Sequence, residues 1–498
     1  MPQNLSENPF SLCGWRGFSF AQIKDQLILT PLLLYLTMIS IQKNHLLAAA
    51  VLGSQVFYAQ EIPQKLDAAT KNLMESPAAY SANLSFYVAD ENGKFIYEYQ
   101  GNKGLSTAST QKIFTAAAAL ETLGKNYTFK TTVSYSGTVS SGKLDGNLFV
   151  SSNGDPTLGS WRYDGHKPED FRRQLIEALK KQGINSIAGD LIIDDTYFDF
   201  QTVPGGWPWD DMGNYYGAGV WSVNWRENQF DVNLRNGAIK NFNIPLHNVK
   251  WVNEVKVAGS SDQSLIFTAP HSEVALINGT LPPKAITVSG SLPNPPLQLG
   301  MEIKSWLSES GISFTGNVIT NSSQLINGLK IQKAPESNVF FIWQSPTLDK
   351  IVYWFLKKSV NLYGETLVKT MAKEKRGVGS FDEGVDFMKD FWKNKGLNGA
   401  MINFADGSGL SPQNYVSARA EVQALLWSRK QPWFSSYFDG FPEQNGMKMK
   451  SGTIRNIKSF AGYHTSTSGN KYVYSIIINN YQGGSVSDAL YKVLNVLK

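Results

Sequence analysis

A serine and a lysine three residues apart, Ser109 and Lys112, head the stretch ASTQKIFTAAAALETLG at residues 108–124. On a helix such a pair lies one turn apart on a shared face. The chemistry this permits is nucleophilic. A serine hydroxyl attacks poorly at neutral pH unless a neighbouring base takes its proton, and an amine can be that base once its pKa falls toward roughly 7 to 8. Apolar surroundings produce such a fall because they disfavour the ammonium form. The apolar positions Ile113, Phe114, Ala116, Ala117, Ala119, Leu120 and Leu123 cover most of this helix, and Gly124 supplies its stop. A second lysine, Lys450, opens the run Lys450, Ser451, Gly452, Thr453, and its charge is expected to lower the Lys112 pKa further. Histidine is a poor rival: there are five, His45 falls in the N-terminal segment, and none lies in a G-x-S-x-G setting.

Spacing alone does not select the pair. SSGK (Ser140 to Lys143) and SGNK (Ser468 to Lys471) also match S-x-x-K, but both read as hairpin turns, where no helix aligns the side chains. The elements around the pair must choose. A helix near Ile62 to Glu75 precedes two strands in ANLSFYVADENGKFIYEYQG, and the buried helix follows. From about Tyr127 the texture turns to short strands, TFKTTVSYSG and GKLDGNLFVSS forming a hairpin, with one amphipathic helix in KPEDFRRQLIEALKKQG. Helices return in TLDKIVYWFLKKSVNLYGETLVKTMAKE and SARAEVQALLWSRK, and a hairpin and a closing helix end the chain. This predicts an α/β (α+β) catalytic domain, residues 60–126 and 323–498, interrupted by a mainly β region at 127–322 that could hold two nested modules.

The 498 residues carry 46 Lys and Arg against 41 Asp and Glu, spread along the chain, so no nucleic-acid footprint is expected. Residues 1–59 read as a leader: Lys43, then the apolar run LLAAAVLGSQVFYA, with a small residue, Ala59, at a plausible cut. Met38 is an alternative start, and a retained anchor is the rival reading. The sole cysteine, Cys13, precedes the proposed cut, so a processed chain would have neither disulfide nor thiol chemistry. Export to the periplasm or cell envelope follows as the expected location.

Four segments, ASTQK, KKSVNLYGETL, DGSGLSPQN and MKSGTIRN, occur in the order and approximate spacing of the penicillin-binding D-Ala-D-Ala carboxypeptidases of the S13, or penicillin-binding-protein-4-like, family. NGDPTL, DDTYFD and GWPWDDMGNYYGAGVWSVNWREN add to the resemblance, which runs from about Ile62 to the end. It implies a penicillin-recognising transpeptidase/β-lactamase-like fold and a serine D-Ala-D-Ala carboxypeptidase, with or without DD-endopeptidase activity. Peptidoglycan stem peptides would be the substrates, β-lactams covalent inhibitors, and no cofactor or metal would take part. Ser109 would be the acylated nucleophile and Lys112 its base. Ser359 would relay a proton to the leaving nitrogen, and Asn361 would hold the substrate amide. Lys450 would place charge near the terminal carboxylate, with the hydroxyls of Ser451 and Thr453 binding it beside Gly452. The N–H groups of Ser109 and Thr453 would form the oxyanion hole. Trp207, Asp210 and Tyr215 would line a subsite for the stem, while Asp406, Gly407 and Gly409 shape backbone.

The chain departs from the family pattern in K-S-G for the commoner K-T-G, in the apolar centre of S-V-N, and in Pro412 where arginine is frequent. A serine β-lactamase, which would need efficient water activation, is the nearest alternative. A non-catalytic envelope-binding protein of the same fold is the other.

Overall fold

The computed structural model describes residues 61–498. The proposed leader, its cut at Ala59 and Cys13 lie outside the described residues. Among the described residues, no helix is long and apolar enough to cross a membrane.

An antiparallel sheet joins both ends of the described chain. In spatial order its strands are Phe95–Tyr99, Asn83–Asp90, Lys471–Asn479, Ile457–Thr465, Met447–Ile454 and Glu443–Gln444. Lys471–Asn479 reads KYVYSIIIN, a nearly unbroken apolar run without alternation, because it is central and covered on both faces. One face packs against residues 61–74 and the closing helix Ser487–Leu494, around Leu66, Phe86, Phe460 and Leu490. The other face meets a helical layer.

That layer is built around Lys112–Leu123. The helix is buried from Lys112 to Leu120, and its run of four alanines lets its neighbours approach closely. Those neighbours are Leu348–Lys357, Asn361–Arg376 and Ala418–Ser428. Gly124, at φ +84°, ends the helix in a conformation that glycine adopts without strain. Ser417 caps the Ala418 helix, its hydroxyl accepting from Ala420 N at 3.2 Å.

Between these halves lies a region with its own two cores. A five-stranded mixed sheet runs Val318–Thr320, Leu191–Asp194, Leu148–Ser152, Lys130–Tyr135, Val339–Gln344. Its parallel pairs need crossovers, which the helices Pro168–Lys181 and Pro295–Glu309 provide around Phe171, Trp225 and Trp306. Two three-stranded sheets between Gln229 and Ser291 enclose Phe230, Ile266 and Ile277.

Three local readings change. The first hairpin of this region is four strands, Lys130–Tyr135 pairing with Leu148–Ser152 and a smaller hairpin, Thr138–Ser140 with Lys143–Asp145, lying between them. Pro295–Glu309 is a helix that the strand-like texture concealed, although Asn294 caps it by accepting from Leu297 N at 3.0 Å, with proline at the first position. The sheet also extends past residue 322, where the sequence reading closed the insertion, because Val339–Gln344 pairs with Lys130–Tyr135. Pairing over such a separation leaves no local periodicity to read.

Candidate active site

Ser109 sits in a 3₁₀ turn, Ala108–Gln111, that runs directly into the Lys112 helix. Ala108 has φ +47°, an uncommon conformation for a residue with a side chain. Neighbouring backbones hold it there. A Cβ on Gly409 would stand 1.9 Å from the Ala108 carbonyl oxygen, so only glycine allows this approach. Ser359, between the Leu348 and Asn361 helices, has φ +58°, so strained backbone flanks the cleft on two sides.

Lys112 is fully buried, and its Nζ reaches three oxygens: Ser109 Oγ at 2.9 Å, Asn361 Oδ1 at 2.6 Å and the Ser408 carbonyl at 2.7 Å. The last two oxygens can only accept. A neutral amine has two N–H bonds to give them, which leaves its lone pair for the remaining direction, toward the Ser109 hydroxyl. Burial lowers the Lys112 pKa to about 7, against the pull of Asp406 and Glu365 in the other direction. Lys450 acts in the same direction as burial, through the repulsion of two buried amines. Lys450 is itself buried, donates to the Ser451 carbonyl at 2.8 Å, and is held well below its ordinary range by burial and then by the charges of Lys112 and Lys458. Desolvation is therefore the largest cause of the Lys112 shift, and the mutual repulsion of Lys112 and Lys450 acts on both amines.

Asn361 bridges the two regions. Its Oδ1 accepts from Lys112 and its Nδ2 donates to the Tyr216 carbonyl at 2.7 Å. Both ends of the amide are thus engaged within the protein. Asp406 organises the turn that carries Ser408. Its carboxyl accepts from Gly409 N at 2.7 Å, Ser411 N at 2.6 Å, Asn414 Nδ2 at 2.9 Å and Trp207 Nε1 at 2.9 Å. The Gly407 carbonyl takes a hydrogen bond from Thr115 Oγ1 at 2.7 Å, and Gly407 N donates to Glu365 Oε2 at 2.9 Å.

The Lys450 strand closes the site from the sheet side through Gly452. A Cβ there would lie 2.3 Å from the Thr107 carbonyl oxygen and 2.8 Å from Ser109 N. Gly452→Val should consequently displace the Ser109 turn. Since misplacement by about 1 Å can cost on the order of 100-fold in rate, the rate at which Ser109 becomes acylated, followed by mass spectrometry, should fall by about that factor. Thermal melting should show a destabilisation of only about 1–3 kcal/mol, typical of overpacking.

A cleft of about 610 Å³ opens over these groups, lined by Ser109, Ser359, Asn361, Thr453, Asp210 and Tyr215 among the sequence-predicted residues. Lys112 lies buried beneath it. Lys450, Ser451, Gly452 and Trp207 stand outside its wall. Ser451 Oγ accepts from Gln444 Nε2 at 3.3 Å, on the edge strand Glu443–Gln444. Trp207 is buried against Asp406 instead of facing the cleft. Arg162 lines the cleft without having been singled out in the sequence. Its Nε donates to buried Glu227 at 2.9 and 3.0 Å, a partner 65 residues away that no local motif reveals.

A sheet and a helical layer that hold a serine hydroxyl against a buried amine, with sheet-rich modules inserted, are the architecture of the penicillin-recognising serine enzymes. The chain belongs to the D-Ala-D-Ala carboxypeptidase 3 (S13) family, whose pattern matches residues 66–497. It is 26% identical over 441 residues to the D-alanyl-D-alanine carboxypeptidase DacB of Haemophilus influenzae, covering 81% of this chain and 87% of that protein. It is 25% identical over 472 residues to the D-alanyl-D-alanine carboxypeptidase of Actinomadura sp. strain R39, covering 86% and 84% respectively. The crystal structure of penicillin-binding protein 4 (dacB) from Haemophilus influenzae shares the fold, with a TM-score of 0.71 at 24% identity over 87% of this chain and 97% of that one.

Proposed function

We infer that the protein is a serine-type D-Ala-D-Ala carboxypeptidase that processes peptidoglycan stem peptides through an acyl-enzyme and is acylated by β-lactams. The observation that carries the mechanism is the triple contact of Lys112 Nζ with Ser109, Asn361 and Ser408. Ser109 Oγ attacks the carbonyl carbon of the penultimate D-alanine while its proton passes to the Lys112 lone pair. The oxyanion is received by the N–H groups of Ser109 and Thr453, and each such donor is typically worth about 10²- to 10³-fold. Ser359, at the cleft surface, relays a proton to the departing nitrogen, and water then hydrolyses the ester.

For the terminal carboxylate, Thr453 is the hydroxyl of the Lys450 run best placed, since it lines the cleft and accepts from Lys458 Nζ at 2.7 Å. Asp210 and Tyr215 offer a polar wall to the stem peptide, whereas Trp207 acts indirectly by pinning Asp406. Because the substrate is part of the cell wall, the reaction belongs outside the cytoplasmic membrane, in the periplasm or envelope.

Incubation with labelled penicillin followed by mass spectrometry tests this reading. A long-lived adduct on the peptide containing Ser109, together with D-alanine release from a pentapeptide stem, is the expected result. Rapid turnover of the label would indicate a β-lactamase instead, and no adduct at all a binding protein.

A further inference from the structure

The Asn361 helix and the 406–409 turn enclose a carboxyl group that this mechanism leaves unused. Glu365 lies one turn beyond Asn361 and is fully buried. Its Oε2 accepts from Gly407 N at 2.9 Å, but its Oε1 has no hydrogen-bond partner. The Ser408 hydroxyl, equally buried and close enough to act on Glu365, has none either. The carbonyl of that same Ser408 holds Lys112 Nζ at 2.7 Å. The turn cannot slide away from the helix without losing tight packing, since a Cβ on Gly407 would lie 2.5 Å from the Gly364 carbonyl oxygen.

The charged and titratable groups facing Glu365 are Lys112 from its helix, Asp406 from the turn, and Lys369 one turn further along its own helix. Lys369 is already paired with Asp199 at 2.7 Å. Burial first and Asp406 second raise the Glu365 pKa to about 8. The Ser408 hydroxyl can donate to a carboxylate or accept from a carboxylic acid, so it fits either state, and as a donor it favours the ionised one together with Gly407 N–H and the Lys112 charge. Full burial beside a second carboxyl, Asp406, with Lys369 already committed to Asp199, outweighs these and favours the neutral acid.

We propose that Glu365 is a positioning residue: as a neutral carboxylic acid it grips the 407–408 turn that aims Lys112, and it keeps the one proton of the Glu365–Lys112 pair on the carboxyl side. The forms COOH with NH₂ and COO⁻ with NH₃⁺ hold the same number of protons, and only the first gives Ser109 a base. The inference rests on the reading of Lys112 as that base. During acylation the Ser109 proton moves to Lys112 and the Glu365 carboxyl stays neutral.

The test compares the full-length wild type with Glu365→Gln and Glu365→Ala by the rate of acylation with fluorescent penicillin between about pH 6 and 10. Glutamine keeps the acceptor for Gly407 N–H and a donor for Ser408, so Glu365→Gln should acylate within about threefold of wild type at neutral pH, with its acid limb in place. Glu365→Ala should be slower by about tenfold or more, through loss of aim. Infrared difference spectra should show a protonated carboxyl band at neutral pH in the wild type that Glu365→Gln lacks. Absence of that band, a Glu365→Gln variant as slow as Glu365→Ala, or a Glu365→Ala variant as fast as wild type would each overturn the proposal. Should Glu365→Ala fail to fold, the band and the glutamine variant still decide. Failure of the wild type itself to acylate would refute the serine–lysine reading, with the band still reporting the state of Glu365.

Discussion

Ser109→Ala should abolish both penicillin labelling and D-alanine release, lowering turnover by about 10⁴-fold or more, as expected when a nucleophile is removed from a group of residues that act as a unit. The fold should survive. Residue 109 lies in a short 3₁₀ turn beside Ala108, and the Lys112 amine keeps Asn361 Oδ1 and the Ser408 carbonyl as partners. Thermal melting should therefore move by no more than the shift that about 1 kcal/mol produces. Undiminished release of D-alanine would remove Ser109 from the mechanism, whereas a collapsed melting curve would mean the turn is needed for folding.

Lys112→Met should be nearly as damaging, with acylation lower by about 10²- to 10⁴-fold, the range associated with a positioned general base. Its pH dependence is equally specific. With a folded-state pKa of about 7, the wild type should acylate faster as pH rises through that value and the amine becomes free. Stability follows from the same shift. Between about 7 and the ordinary lysine value of 10.5, the unfolded chain holds a proton on Lys112 that the folded protein does not. Wild-type stability should accordingly gain on Lys112→Met across that window by about 1.4 kcal/mol per pH unit, while below it the burial penalty is present in full. Urea denaturation of both proteins at several pH values measures the difference. A constant gap would mean that Lys112 keeps its proton in the folded state.

The serine–lysine helix was legible because its signal is local: a nearly all-apolar surface, a terminal glycine, and two polar residues one turn apart. The same holds for the strands of ANLSFYVAD and KYVYSIIIN. What stayed hidden depends on contacts between distant segments. The Ser408 carbonyl is backbone, so no residue type announces it. Glu365 did leave a trace, since Asn361, Glu365 and Lys369 recur every four residues along a buried helix, a row of polar groups that an apolar environment would otherwise exclude. Trp207 and Ser451 come from segments whose neighbours Pro208 and Thr453 line the cleft, yet they reach Asp406 and Gln444. Motif membership gives the neighbourhood of a side chain, but its direction follows from pairing and packing.

The sheet that carries Gly452 is completed only when Lys471–Asn479 slots between Asn83–Asp90 and Ile457–Thr465. A polypeptide growing from its N-terminus would hold its serine and lysine long before it held the strand that braces them. Covalent capture of an antibiotic would then report finished chains and pass over nascent ones. The active serine would be silent by construction until the last segment had been made.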